Sequence, residues 1–215
     1  MLNRIKRHME LFMFLQIDRF ALVDYSAEMK NTVLIEVGRL QADCFLDPTP
    51  ENRDQQRDPA MHQTKKGNAW HFGMKAHVGV DSETKMIHTV VATAAHVADS
   101  TVLPELLHGE ETRVWGDQAY RGQTEVIQQV SPKAKDCTHR RYRYKDCVDE
   151  PERERNRIKS KVRSRVEHVF GVMKLKFGFV KVRYRGLAKN ANRLFATCAL
   201  VNLYLARPKL LRTTV

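Results

Sequence analysis

A chain of 215 residues is long enough to bury one sizeable core, so one domain plus a tail is expected. Lysine and arginine number 37 against 25 aspartate and glutamate, and the formal net charge of +12 favours a polyanionic partner, nucleic acid being the commonest, with a solvated basic surface as the alternative. Cys44, Cys137, Cys147 and Cys198 form no CxxC pair, which argues against a zinc ribbon or a disulfide frame. No apolar run reaches the ~20 residues of a membrane span, so a cytoplasmic protein is expected.

Leu2, Ile5, Met9, Phe12 and Leu15 recur at helical spacing and predict a helix through Phe20. The patch from Thr32 to Val37 reads equally as a strand or a helical turn. Asp43 to Thr64 is rich in Pro, Asn and Asp, which is the composition of an exposed connector, and Lys65-Lys66-Gly67-Asn68 adds a basic turn. The period then changes to two. Trp70, Phe72, Met74, Ala76, Val78 and Val80 alternate with His71, Gly73, Lys75, His77 and Gly79, which predicts a strand with one buried face.

Met86 to Ala95 returns as a second strand, completing an antiparallel hairpin. Asp99-Ser100-Thr101 is expected to cap a helix carrying Val102, Leu103, Leu106 and Leu107. A short apolar strand, Arg113-Val114-Trp115, ends on Gly116-Asp117, and a helix follows over Thr124 to Val130. Residues 132–161 read as a basic insert containing His139-Arg140-Arg141-Tyr142-Arg143-Tyr144-Lys145. There, cations can meet phosphates while rings stack on bases, with a solvated loop as the alternative. A long helix is expected from Ile158 to about Phe177, with Val162, Val166, Val169, Phe170 and Met173 as its apolar stripe. A second basic-aromatic stretch, including Arg183 and Arg185, precedes a last helix from Leu187 to about Arg207 and a basic tail over 208–215.

Asp117 carries the chemistry in this reading. An aspartate at the mouth of a sheet is where open α/β folds place their sites, and its charge is costly to bury unless paired or metal-bound. Glu167 lies beside the apolar stripe of the long helix and shares a face with Arg163 and Lys174. A hairpin followed by strand–helix alternation, with acids on a central strand and a late helix, points to a ribonuclease-H-like mixed sheet flanked by helices, its first strand degenerate. Carboxylates that converge there suit hard divalent ions, two Mg²⁺ or Mn²⁺, acting on a phosphodiester.

Four runs carry a resemblance: residues 57–68 with Phe72-Gly73-Met74-Lys75-Ala76-His77, Leu107-His108-Gly109-Glu110-Glu111, Gly116-Asp117-Gln118-Ala119-Tyr120-Arg121-Gly122, and residues 181–190. They resemble bacterial insertion-sequence transposases of the DDE class, in the group called family five. The resemblance covers about residues 57–212. It implies that Asp117 is the second catalytic and metal-binding acid and Glu167 the third, within a Tyr-x2-Arg-x3-Glu-x6-Lys signature that Arg163, Glu167 and Lys174 fit. Ser160 stands where that signature has tyrosine. The group's Asp-Ala-Thr run is absent, and Asp43 is the nearest candidate for the first acid. Arg163 and Lys174 would contact donor-end phosphates.

The expected domains are therefore a divergent segment and linker over 1–56, the catalytic domain over 57–207, and the tail. Lys65, Lys66, Arg140, Arg141, Arg143, Arg183 and Arg185 are the remaining candidate DNA contacts. The implied function is metal-dependent cleavage and strand transfer at insertion-sequence ends by a homo-oligomer bound to terminal repeats and target DNA. The alternative is a catalytically dead, DNA-binding remnant that acts as an inhibitor. A histidine metal site of His62, His71 and His77 is a third reading. For His71 and His77, which lie off the apolar face, solvent or phosphate contacts are expected instead.

Overall fold

The computed structural model describes residues 32–41 and 58–212. The N-terminal helix expected through Phe20, the connector over residues 43–57 and Asp43 itself lie outside them.

Six strands form one mixed sheet: β1 (Thr32–Gln41), β2 (His62–Lys66), β3 (Ala69–Asp81), β4 (Ile87–Ala94), β5 (Arg113–Trp115) and β6 (Lys135–Asp136). The order is β2-β3-β1-β5-β6, with β4 also paired to β3. β1, β2 and β4 run antiparallel to β3, whereas β1, β5 and β6 are parallel to one another. This is the expected ribonuclease-H-like arrangement, but its first strand is not degenerate: the ambiguous patch at Thr32 is a ten-residue strand paired with both β3 and β5. The described residues belong to one compact unit. No helix among the described residues is long and apolar enough to cross a membrane.

Helices cover both faces of the sheet. A 3-10 turn (Asp99–Val102) leads into α1 (Leu103–Leu106), followed by α2 (Thr124–Val130), α3 (Glu150–Phe177) and α4 (Leu187–Leu210). On one side Met74, Ala76, Val78 and Val80 of β3 pack with Val166, Val169 and Met173 of α3 and Leu194 and Val201 of α4. On the other, Ile35 and Val114 pack with Leu103, Leu106, Tyr120 and Ile127. At the β4 edge, the Asn202 side chain from α4 accepts from the Ile87 N–H at 2.9 Å and donates to its carbonyl at 2.8 Å, so a helix satisfies this end of the strand.

The second layer overturns the expectation that β3 has one wet face. Lys75 and His77 are both buried. The Lys75 ammonium donates to Asp99 at 2.7 Å and to the Val97 carbonyl at 2.6 Å, and His77 Nε2 lies 2.8 Å from Thr93 Oγ1. His77 therefore meets neither solvent nor phosphate. Asp99 is likewise diverted from capping: it is the first residue of the 3-10 turn, whose N-cap is Ala98 and which has no side-chain cap. A long-range charge partner has displaced a local one.

Two further boundaries differ from the pattern. His62 to Lys66 is a strand rather than the end of a connector and the start of a turn, because each residue pairs in register with β3. α3 begins at Glu150, eight residues before the expected start at Ile158. Asp149 accepts from the Glu152 N–H at 2.9 Å, a proline lies in the first turn, and exposed pairs Arg153–Glu150 (3.1 Å) and Arg157–Glu154 (2.8 Å) support the turns that follow. α4 likewise continues to Leu210, into the expected tail.

Candidate active site and nucleic-acid surface

β5 ends at Trp115, and the chain turns sharply at Gly116 and Asp117. A side chain on Gly116 would put its Cβ 3.0 Å from the Tyr120 ring, so backbone and ring pack closely here. Tyr120 is fully buried and plugs the turn. Asp117 caps the 3-10 turn Gln118–Tyr120, its carboxylate accepting from the Ala119 N–H at 2.9 Å. Its side chain is half-buried at the parallel-strand exit, where a ligand can reach it.

Beside it runs the continuation of β6. The N–H groups of Lys135, Cys137 and His139 donate to the carbonyls of Thr112, Val114 and Gly116 at 2.9, 2.8 and 3.1 Å. This ladder brings His139 level with the Asp117 turn. α3 closes the third side. Asn156 donates to the Arg140 carbonyl at 2.7 Å, and Lys159 donates to the Thr138 carbonyl at 2.9 Å, which fixes the helix against this strand.

His139 is half-buried, with Nε2 3.5 Å from Ser160 Oγ. Burial, then the charges of Arg163 and Lys159, push its pKa down to about 4, while Asp117 and Glu152 pull the other way. The imidazole is neutral near pH 7, and Asp117 and Arg163 are both its electrostatic neighbours.

One turn along α3, the Arg163 guanidinium lies 4.0 Å from the Glu167 carboxylate. The two differ in exposure: the Arg163 side chain is 13% accessible and that of Glu167 64%. Glu167 is therefore more open than its apolar flanks imply. Asp117, His139, Arg163 and Glu167 form one chain of neighbours across β5, β6 and α3. His139, Asn156 and Lys159 are the members that sequence reasoning missed, because His139 reads there as the first residue of a basic run. Lys174 is exposed, eleven residues beyond Arg163 and so about 16 Å further along the helix axis.

The first acid is not among these neighbours. Asp43 lies outside the described residues, and no group of three His, Cys, Asp or Glu among the described residues is placed to hold a metal ion. That also leaves the His62, His71, His77 reading without a site. The β1–β5 register pairs Leu34 with Trp115, so Glu36 occupies the backbone position level with Asp117.

The basic insert is ordered. The Tyr144 N–H donates to the Cys147 carbonyl and that of Asp149 to the Tyr142 carbonyl, both at 2.8 Å, and Arg143 bridges Val148. The Arg141 guanidinium sits 5.2 Å above the Tyr144 ring. With Gln118, next to Asp117, residues 141–145 line an open cleft of about 440 Å³. Arg140, Arg141 and Arg143 are all exposed. Arg183 and Arg185 are exposed on a separate turn held by buried Asn190, which accepts from the Arg183 and Tyr184 N–H groups at 3.2 Å. Lys65 is exposed on β2, and Lys66 pairs with Ala69 in the same hairpin.

A family model described as the transposase DDE domain matches residues 42–203, starting just after β1 ends. Among solved structures, the fold is similar to a cryo-EM structure of the piggyBac transposase synaptic complex with hairpin DNA. The TM-score is 0.55 at 10% identity, covering 86% of this chain and 48% of that one. The chain thus spans about half the length of that transposase.

Proposed function

The chain belongs to the transposase DDE domain family, and from that premise we propose that it cuts DNA at the ends of a mobile element and joins the freed 3′-hydroxyl to target DNA. The observation that supports this reading is the run of neighbours from Asp117 through His139 and Arg163 to Glu167. Within the family, the runs at residues 57–77, 116–122 and 181–190 favour the insertion-sequence group called family five.

The donor set fits a hard cation. Asp117 and Glu167 offer accessible carboxylate oxygens, Asp117 beyond its one bond from the Ala119 N–H and Glu167 beyond its 4.0 Å approach to Arg163. Asp117 and Glu167 would hold the metal, with the first acid supplied by Asp43 or by Glu36, whose backbone is level with Asp117. Two bound Mg²⁺ or Mn²⁺ would stabilise charge on the attacking and leaving oxygens.

The protein's own groups do the rest. Arg163, largely enclosed, offers a planar fork for a phosphate oxygen and orients the scissile group. Neutral His139 leaves the positive charge of the site to Arg163 and Lys159. Lys174, Arg140, Arg141, Arg143, Arg183, Arg185, Lys65 and Lys66 give a cationic grip on DNA, which salt should weaken. Paired DNA ends call for two copies of the site, so a homo-oligomer is expected.

The test is Mg²⁺-dependent nicking of an oligonucleotide carrying the element's terminal repeat, by wild type, Asp117→Ala, Glu167→Ala, Glu36→Ala and Asp43→Ala. Nicking by wild type that is lost in the first two, and in one of the last two, supports the assignment. Equal nicking by all five would remove it. DNA binding by wild type with no nicking would favour the inhibitor reading.

A further inference from the structure

Beyond Gly73 the sheet narrows to two strands. Gly73 is the last β3 residue paired with β1, and Met74 the last paired with β4. Outward from there, Phe72, His71, Trp70 and Ala69 pair with Gln63, Thr64, Lys65 and Lys66 alone among the described strands. The ribbon turns at Gly67, whose φ of 59° suits a tight reversal, and Asn68. Trp70 is 55% exposed, and the Lys65 ammonium sits 5.7 Å from its ring centre. No aspartate or glutamate occurs between Asp58 and Asp81, so the whole ribbon is free of carboxylates.

Its direction follows from the register. Position 36, level with Asp117, pairs with Val78. Because β3 is antiparallel to β1, moving back along β3 from Val78 is moving the way β5 points. Trp70 is eight residues further in that direction, which at 3.3 Å per residue is about 25 Å. The ribbon therefore projects past the same end of the sheet at which Asp117 stands. Along duplex DNA, at 3.4 Å per base step, that reach corresponds to about seven base pairs.

We propose that the β2–β3 ribbon lies in the major groove of the DNA end, about seven base pairs from the scissile phosphate, and reads its sequence there. A two-stranded ribbon matches the width of that groove. Lys65 and Asn68 supply donors for base edges, and Trp70 presses an apolar face against the groove wall. A carboxylate-free surface approaches phosphates without repulsion. The proposal rests on the DNA-processing reading above and adds to it the element that recognises sequence.

The test is selection of 30-bp duplexes, randomised at their centre, by the full chain and by Lys65→Ala, Asn68→Ala and Trp70→Ala. These side chains are exposed, and matching thermal midpoints check that the fold is kept. Wild type should enrich a motif. Lys65→Ala and Asn68→Ala should erase one contiguous block of it and weaken binding to the enriched duplex about tenfold, the equivalent of one base contact. Lys65→Ala should also lower the salt slope by about one. Trp70→Ala should weaken binding without changing the motif. If wild type binds DNA and all three variants select the same motif with the same affinity, the ribbon assignment falls and the DNA reading stands. Variants that bind normally but sediment as a smaller species would overturn it in favour of a ribbon that holds a second copy. Wild type that binds no duplex at low salt would overturn the DNA reading itself.

Discussion

Two carboxylates bracket the three-residue strand β5, and the protein treats them in opposite ways. Glu111, just before it, is fully buried: it accepts from the His108 and Gly109 N–H groups at 2.6 and 2.9 Å and from the Ser131 hydroxyl. These bonds hold its carboxyl below the usual range against the opposing effect of burial. Asp117, just after it, spends one oxygen on a single backbone N–H and stays open at the edge of the sheet. A carboxylate whose acceptor sites are taken up by protein donors is structural, whereas one left with free lone pairs and a route to solvent can serve chemistry. The Glu111 knot ties the loop before β5 to the end of α2, and so holds the strand whose far end presents Asp117.

The sharpest way to break this contrast is to remove each acid in turn. Asp117→Asn should lower Mg²⁺-dependent nicking by at least about 10³-fold, as loss of one member of a concerted site does, with a thermal midpoint close to wild type. Glu111→Ala should do the reverse. It strands two backbone N–H groups and a hydroxyl in the interior, so denaturant titration should show a loss of about 3 kcal/mol, with nicking per folded molecule unchanged. If Glu111→Ala abolished nicking at full stability, the division of labour would be wrong.

Acid probes the same knot from its neighbour. Burial, then the charge of His108, push the His88 pKa down to about 4 from an ordinary 6.5. A Cβ on Gly79 would lie 2.6 Å from this ring, which shows how tightly it is enclosed. The unfolded chain takes up the proton first, so His88 contributes stability that is complete above pH 6.5 and is lost as pH falls towards 4. The loss should be on the order of 3 kcal/mol, and His88→Gln should flatten the fall of thermal midpoint across that window. The smallest effect concerns the helix that carries Glu167. Asp149→Ala removes its N-cap and should cost about 1 kcal/mol in denaturant titration while changing nicking little.

Much of this was legible beforehand. Alternation in β3, the second strand at Ile87, the short β5 and the helix over Thr124 to Val130 follow from apolar periodicity. The same reading singled out Asp117 and Glu167. β2 is His62-Gln63-Thr64-Lys65-Lys66, with no apolar residue, so no apolar alternation marks it as a strand. The first two turns of α3 are charged on every face and rest on a cap and ion pairs, which leave no period. Asp99 obeys a capping rule in sequence but answers to Lys75, 24 residues away. His139 hides in a run of arginines and becomes a site residue through a strand ladder and a helix that meet around it.

By itself, then, the order of residues determined the hairpin, the strand that delivers Asp117, the helix that carries Glu167 and a net positive charge of +12. Those features depend on contrasts between near neighbours along the chain. Which face of β3 is covered, which acid beside β5 is sealed and which stays open, and why His139 is neutral were decided by the tertiary structure. Desolvation and charge pairing are set by groups that arrive from distant parts of the chain, and no local pattern records their arrival.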